Sequence, residues 1–296
     1  MTITESSKEA YSKTISKIKK DLDSDDDIFK DYKKVIEYID NKEVSYLTKR
    51  NYYNSIIVYT KDKINNDILK KYQDKRDILN KQYEDNAGEK SEKTQKNWTD
   101  LNSIIKVKEE LKKEVQKIMN KNNLINKNKN KIQILFILTF HLNNPIRNDL
   151  SNSYYIDYND YIKLDEDIKN TNNYFVYGKK NFYSLANYKT NKTYGLKIID
   201  INEEILSIFH IWLKHNPTTD NSLLVNLKDN SNMTSHNLTL LLTSFFKRTL
   251  NKSIGSTLLR SIILTELFSE NKEKQKKYAD ICCHDISTQQ NIYVKN

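Results

Sequence analysis

The stretch Ile132-Gln-Ile-Leu-Phe-Ile-Leu-Thr-Phe-His-Leu142 is apolar on nearly every side, interrupted only by Gln133, Thr139 and His141. A helix without a polar stripe has no face for water and must be covered all round by other elements. The run is too short to cross a bilayer. It therefore predicts a buried central helix, and the flanking sequence has to supply its cover. Upstream, Trp98-Thr-Asp-Leu101 starts a helical pattern, with Asp100 or Asn102 placed to cap it, that continues through Met119. Downstream, Tyr154 to Tyr158, Tyr174 to Tyr177, Phe182 to Tyr188 and Tyr194 to Ile199 are rich in aromatic and β-branched residues separated by turn residues. These predict a small antiparallel sheet. Helical spacing resumes over Glu203 to Lys214, His236 to Leu250, Ser256 to Phe268 and Lys276 to Cys283.

The N-terminal third reads differently. Residues 1–26 are polar and run into the acidic stretch Asp23-Ser-Asp-Asp-Asp27, which predicts a flexible arm. From 27 to 83 the apolar residues follow three-four spacing, as in Phe29, Tyr32, Val35, Ile36 and Ile39. Ser45 to Thr60 has the form of a capped helix with a basic first turn. Residues 84–97 are polar, contain Gly88 and lack an apolar period, as expected of a linker. A chain of 296 residues accommodates two domains of ordinary size. The expected plan is a mainly α protein with a small antiparallel β-sheet, in which a helical domain (27–83) precedes a larger domain (98–296). No internal repeat is visible.

Lys and Arg number 49 against 39 Asp and Glu, for a formal charge of +10. Such an excess suits a polyanionic partner, because each neutralised phosphate releases counterions. Abundant Lys, Asn, Ile and Tyr beside 4 Gly and 2 Pro also fit an AT-rich genome, so basicity permits a nucleic-acid partner without proving one. The two cysteines are adjacent, at Cys282 and Cys283, which argues against a disulfide framework and for a reducing compartment. The N-terminus lacks the apolar core of a signal peptide, so an intracellular, non-membrane protein is expected.

The chemistry-bearing residues stand in a fixed order. Arg147 follows Pro145 and Ile146 at the end of the apolar run; Arg260 sits in Ser-Thr-Leu-Leu-Arg; His284 precedes Tyr293 by nine positions. Cleaving a phosphodiester without metal needs a nucleophile, cations on the phosphoryl oxygens and an acid for the leaving oxygen. A tyrosine can form a covalent phosphotyrosine. Two guanidinium forks can hold non-bridging oxygens. Each residue alone has a plainer reading: Tyr293 as a packing residue on a terminal helix, His284 as a core or capping histidine, Arg147 as a helix-end residue. Arg260 is sharper, because a charge among Leu258, Leu259, Ile262 and Ile263 must be exposed, paired or functional.

In order and spacing these boxes resemble the tyrosine recombinase (phage integrase) family. Asn-Pro-Ile-Arg147-Asn-Asp149-Leu is similar to its first arginine box, and Asn187-Tyr-Lys189-Thr-Asn-Lys192 to the β-hairpin that carries its lysine. Thr257-Leu-Leu-Arg260 stands where the family reads His-x-x-Arg, and Cys282-Cys283-His284 with Tyr293 stands for its final box. The resemblance spans about two thirds of the chain, from Trp98 onward. It implies a catalytic set of Arg147, Lys189, Arg260, His284 and Tyr293, with Lys189 as general acid and Lys192 as its competitor. Two departures accompany it: Thr257 replaces a protonatable residue, and Cys283 replaces a glycine.

The function so implied is site-specific recombination or integration of DNA, through a 3′-phosphotyrosine, with no metal, ATP or other cofactor. The partner would be double-stranded DNA, bound by a homotetramer. The composition and boxes are most similar to integrases of large DNA viruses, virophages and their mobile elements. The expected place is the nucleus or a viral replication compartment in a eukaryotic host, otherwise the cytoplasm. The rival readings are a type IB topoisomerase, which uses nearly the same residues, and a catalytically weakened, recombinase-derived DNA-binding protein.

Overall fold

Tyr11, Ile15, Ile18 and Leu22 recur at helical spacing within an otherwise polar segment, and this spacing decides the structure of the N-terminus. The computed structural model describes residues 5–86, 89–268 and 272–285. The chain divides into two units, residues 1–87 and 88–296.

In the first unit, helix α1 (Glu5–Asp21) is followed by a 3-10 turn (Asp26–Lys30), then α2 (Tyr32–Asp40), α3 (Tyr46–Thr60) and α4 (Asn66–Asp85). The segment expected to be a flexible arm is thus largely helical. Ile15 and Ile18 are buried in one core with Phe29, Val35, Tyr53 and Tyr72, and α1 packs against α3. Four apolar residues at period 3.6 outweigh the acidic stretch that follows them. Side-chain caps define the helix starts: Asp31, Ser45 and Asn65 accept from the N–H groups of Lys34, Thr48 and Asp67. The core tyrosines keep their hydroxyls satisfied, Tyr53 donating to Asp40 at 3.0 Å and Tyr72 to the Phe29 carbonyl at 3.0 Å. The interval expected to be a linker differs in part, since α4 reaches Asp85 and a short helix α5 (Glu92–Asn97) forms behind the cap Ser91.

The second unit is organised around α7 (Asn126–Asn143), within which every residue from Ile132 to His141 is buried. Its neighbours are α6 (Leu101–Gln116), capped by Asp100, and α11 (Glu203–His215). Phe136 meets Phe175 and Phe209 edge-on or tilted, at 5.6 and 5.9 Å between ring centres, and those two rings stack at 4.2 Å. Gln133, a polar interruption of the run, is satisfied like a strand: its side-chain amide donates to the Val225 carbonyl (3.1 Å) and accepts from the Val225 N–H (2.8 Å).

Between α7 and α11 the chain forms β1 (Ser153–Asp157), the short helices α8 (Tyr158–Tyr161) and α9 (Glu166–Thr171), β2 (Asn173–Tyr177), β3 (Phe182–Leu185), the single turn α10 (Asn191–Tyr194) and β4 (Lys197–Asp200). The strands lie in sequence order, with β2–β3 and β3–β4 antiparallel. The pair β1–β2 is parallel, with Ser153 opposite Asn173 and Asp157 opposite Tyr177, whereas an antiparallel sheet was expected. The reason is the connection: α8 and α9 carry the chain back across the sheet, as a parallel pair requires. A two-stranded hairpin, β5 (Val225–Asn226) with β6 (Ser231–Asn232), precedes α12 (Ser235–Leu250), α13 (Ser256–Phe268) and α14 (Lys272–Ile281). The molecule is therefore mainly helical with a small, mixed sheet. Among the described residues, no helix is long and apolar enough to cross a membrane.

One ion pair ties α6 to α11. Lys108, almost fully buried, contacts Glu204 at 2.7 Å, with Lys112 at 3.4 Å. Burial opposes the charge on both partners, yet Lys108 holds the Glu204 carboxyl below its ordinary range, and Glu204 with Glu109 holds the Lys108 ammonium above its own. Replacing Glu204 with Gln is expected to destabilise the fold by about 1–2 kcal/mol at neutral pH, the pair being only partly screened by its half-exposed carboxylate. Because the folded-state value is depressed, the wild-type advantage is present above the ordinary glutamate range and fades as pH falls through the depressed value. Chemical denaturation of both proteins from pH 7 to pH 3 measures it; a pH-independent difference would show that the charge contributes nothing.

Candidate active site

Pro145 stops α7, and the turn after it presents the first arginine. Asn144 donates its N–H back to Phe140 (2.8 Å), Ile146 is buried, and Arg147 adopts an extended backbone (φ −71, ψ −158) at the head of a 3-10 turn, Asn148–Leu150. This turn is pinned on two sides. The Asn148 side chain donates to the Ser235 carbonyl (3.1 Å) and the Thr239 hydroxyl (2.9 Å) of α12. On the other side, the Asp149 carbonyl receives Tyr183 Oη (2.8 Å), Ser153 Oγ (3.0 Å) and Asn173 Nδ2 (3.1 Å). The sheet thus holds the backbone two residues from Arg147.

Arg260 comes from the first half of α13. It is 2% exposed. Its helix begins after Gly255, where a Cβ would stand 3.3 Å from the Thr239 methyl, so the missing side chain lets α13 approach α12 closely. Lys189 lies in the β3–β4 connection. Tyr188 is buried and closes this connection on itself, donating to the Gly195 carbonyl at 2.6 Å, while Lys189 remains exposed.

Arg147, Lys189 and Arg260 line one cleft of about 640 Å³, together with Asp149, Thr257 and Asn173. Lys192, in α10, is exposed and is not among the lining residues. Ser235 and Ser256, the first residues of α12 and α13, also border the cleft, so two helix N-termini add their positive ends to the three cations. A cleft of similar size, about 660 Å³, between α7, the β5–β6 hairpin and α12 is lined without carboxylate, histidine or tyrosine and brings no acid–base set together.

His284 does not line the cleft, but its segment is tied to both walls. Cys282 Sγ donates to the Pro145 carbonyl (3.1 Å), and Thr190 Oγ1 donates to the Cys283 carbonyl (3.1 Å). Lys197 pairs with Asp280 at 2.5 Å. His284 is itself buried. The helix ends in a Schellman motif, His284 N–H reaching Ala279 and Cys283 N–H reaching Asp280. Cys283 occupies the left-handed position of this motif (φ 53), the conformation for which glycine is the usual residue. Tyr293 lies outside the described residues.

The electrostatics favour an anion. Burial raises the Asp149 carboxyl, while the Arg147 and Arg260 charges act to lower it. His141, fully buried beneath the site with Nδ1 2.9 Å from the Ile137 carbonyl, is held neutral by burial, and the Arg260 charge works in the same direction. Burial pushes the Cys282 thiol up to about 12, so it stays protonated and able to donate. The arrangement can bind a phosphoryl group between two guanidinium forks and present an ammonium at its edge. Sequence reasoning did not find Asn173, Thr190, Asn148 or His141. Asn148 and Thr190 lie inside the boxes around Arg147 and Lys189, and His141 inside the apolar run, but the bonds of Asn173, Asn148 and Thr190 reach backbone far off in the chain, which no local pattern shows.

The chain matches no family model and no curated protein. Among solved structures it is similar to a XerA recombinase, at 11% identity and TM-score 0.45, over 99% of this chain and 89% of the other. It is also similar to the XerH site-specific recombinase in a pre-cleavage complex with difH substrate, at 13% identity and TM-score 0.44, over 88% of this chain and 72% of the other.

Because Cys283 is left-handed, substitutions there are expected to separate by backbone shape. Cys283→Gly should melt within a few degrees of wild type, relief of about 1 kcal/mol of strain offsetting the lost contacts of a small side chain. Cys283→Val should lose about 2 kcal/mol or more, since a β-branched residue is an outlier in this region. Equal melting temperatures for the two variants would refute the left-handed turn.

Proposed function

We propose that the chain is a tyrosine recombinase: a DNA strand-transferase that cleaves and rejoins duplex DNA through a covalent phosphotyrosine. The observation that carries this reading is the convergence of Arg147, Lys189 and Arg260, drawn from three separate stretches of sequence, on one cleft. The tie between the Lys189 connection and the turn of His284 supports it further. In this reading Arg147 and Arg260 grip the non-bridging oxygens of the scissile phosphate. His284 adds a hydrogen bond to the same group.

The Tyr293 oxygen attacks phosphorus, giving up its proton to water, and the bond from phosphorus to the 5′-oxygen breaks. Lys189 donates a proton to that oxygen, leaving a 3′-phosphotyrosyl ester and a free 5′-hydroxyl. Attack by the 5′-hydroxyl of a partner strand reverses the step, so the bond energy is kept and neither ATP nor metal is required. Lys189 is favoured over Lys192 because it alone of the two lines the cleft. The assembly is four protomers on two duplexes, and the task is integration of a viral or mobile element. The basic balance of the chain suits the duplex partner.

A second reading is favoured by one observation. Thr257, where the resemblance leads one to expect a histidine or lysine, borders the cleft and cannot exchange a proton at neutral pH. That reading is a recombinase-derived DNA-binding protein with weakened catalysis.

Trapping covalent adducts with denaturant, on DNA fragments from the source genome and with magnesium chelated, separates the two. Wild type is expected to form an adduct that Tyr293→Phe loses. Salt-sensitive binding without an adduct would favour the second reading. Arg147→Ala and Arg260→Ala should each slow single-turnover cleavage by about 100-fold or more, with duplex affinity changed only a few-fold. Strand transfer at the wild-type rate by either variant would sink the assignment of the cleft.

A further inference from the structure

We propose that Asn173 is a positioning residue that sets the spacing between the Arg147 turn and the Lys189 connection. The proposal rests on reading the cleft as the phosphoryl-transfer site. Asn173 opens β2, is 3% exposed and borders the cleft. Its Oδ1 accepts from the N–H groups of Ala186 (2.9 Å) and Asn187 (2.7 Å). Its Nδ2 donates to the carbonyls of Asn187 (3.0 Å) and Asp149 (3.1 Å).

A primary amide has two lone pairs on oxygen and two hydrogens on nitrogen, so this group is fully used by the protein. Its orientation is forced, because a flip would point amide hydrogens at two backbone N–H donors. With no polar valence left for a ligand, Asn173 acts through its neighbours. Those neighbours stand two residues from each cation: Asp149 from Arg147, and Asn187 from Lys189. One rigid planar group thus relates the arginine fork to the lysine ammonium. Register reinforces it, since Ser153 lies opposite Asn173 across the parallel pair and donates to the same Asp149 carbonyl. Other side chains fail for stated reasons. Aspartate would face two carbonyls with oxygens only, glutamine adds a methylene, and alanine leaves the Ala186 and Asn187 N–H groups and the Asn187 carbonyl to find new partners.

The test is single-turnover cleavage by Asn173→Ala and Asn173→Asp on a target recovered from the adduct assay. Each variant is compared on the ordinary phosphodiester and on a substrate with a 5′-bridging sulfur, whose leaving group needs no proton. Misplacement of Lys189 by about 1 Å should slow phosphodiester cleavage about 100-fold. The sulfur substrate should recover about 10-fold or more of that loss, and duplex affinity should move less than about 3-fold. Equal losses on both substrates would reduce Asn173 to a general structural role and overturn the proposal, as would cleavage by Asn173→Ala within about 3-fold of wild type. Wild-type adduct formation keeps the two ideas apart: if wild type forms none on either substrate, the reading of the cleft falls and the proposal with it. If wild type reacts and Asn173→Ala matches it, the positioning role alone falls. Should the variants fail to fold, hydrogen exchange in wild type decides. Protection of the Ala186 and Asn187 amides supports the clamp, and free exchange overturns it.

Discussion

The cleft depends on a closed circuit of hydrogen bonds among three segments far apart in sequence. Asn173 joins the Asp149 carbonyl to the backbone of Ala186 and Asn187; Thr190 joins the Lys189 connection to the Cys283 carbonyl; Cys282 joins that turn back to Pro145. Each bond alone is worth only about 1 kcal/mol net. A circuit differs from a sum, because moving any one segment strains links to both others. Arg147 and Lys189 are carried on short turns, where an unsupported backbone would wander. Closure of the circuit is what allows turn-borne cations to hold a fixed geometry.

The support beneath this circuit is apolar. Helix α7 ends at Asn143, just before Pro145, so the helix that anchors the core also delivers Arg147 to its place. Arg260 projects from a helix whose other near neighbours, Leu259, Ile262 and Ile263, are buried in the core. Packing therefore holds Arg260 in place at the wall of the cleft. Two guanidinium groups, one ammonium and two helix N-termini gather round a single carboxylate, Asp149. Such a site favours an anion before any ligand arrives, and partial exclusion of water strengthens each contact.

Legibility in the sequence followed the kind of signal each feature leaves. The central helix was plain from Ile132 to Leu142, and α13 matched its expected bounds, because apolar periodicity is a local property. Helix α1 shows the same rule from the other side. Its period was present in Tyr11, Ile15, Ile18 and Leu22 but lay beside an acidic run that drew the reading toward a flexible arm. The strands were visible as aromatic and β-branched runs, yet nothing local told a parallel pair from an antiparallel one. The acidic caps of the short helices α8 and α9, Asp157 and Asp165, were the available hint of a crossover. For the site, residue types and order singled out Arg147, Lys189 and Arg260, with Lys189 placed ahead of Lys192; that Lys189 lines the cleft and Lys192 does not is a property of the folded β3–β4 connection.

What the sequence by itself determined is where chain segments become helical or extended, which run must be buried, and which charged side chains stand in a setting that demands an explanation. These follow from periodicity and from the cost of burying charge, both of which act over a few residues. Only the tertiary structure decided that Asn173 links two walls of the cleft, that Cys283 adopts the left-handed turn, and that Thr257 borders the cleft. The physical reason is that a buried polar side chain takes whichever backbone groups the fold brings within about 3 Å. Those groups lie a dozen to nearly a hundred positions away in the chain, so no local pattern can announce them.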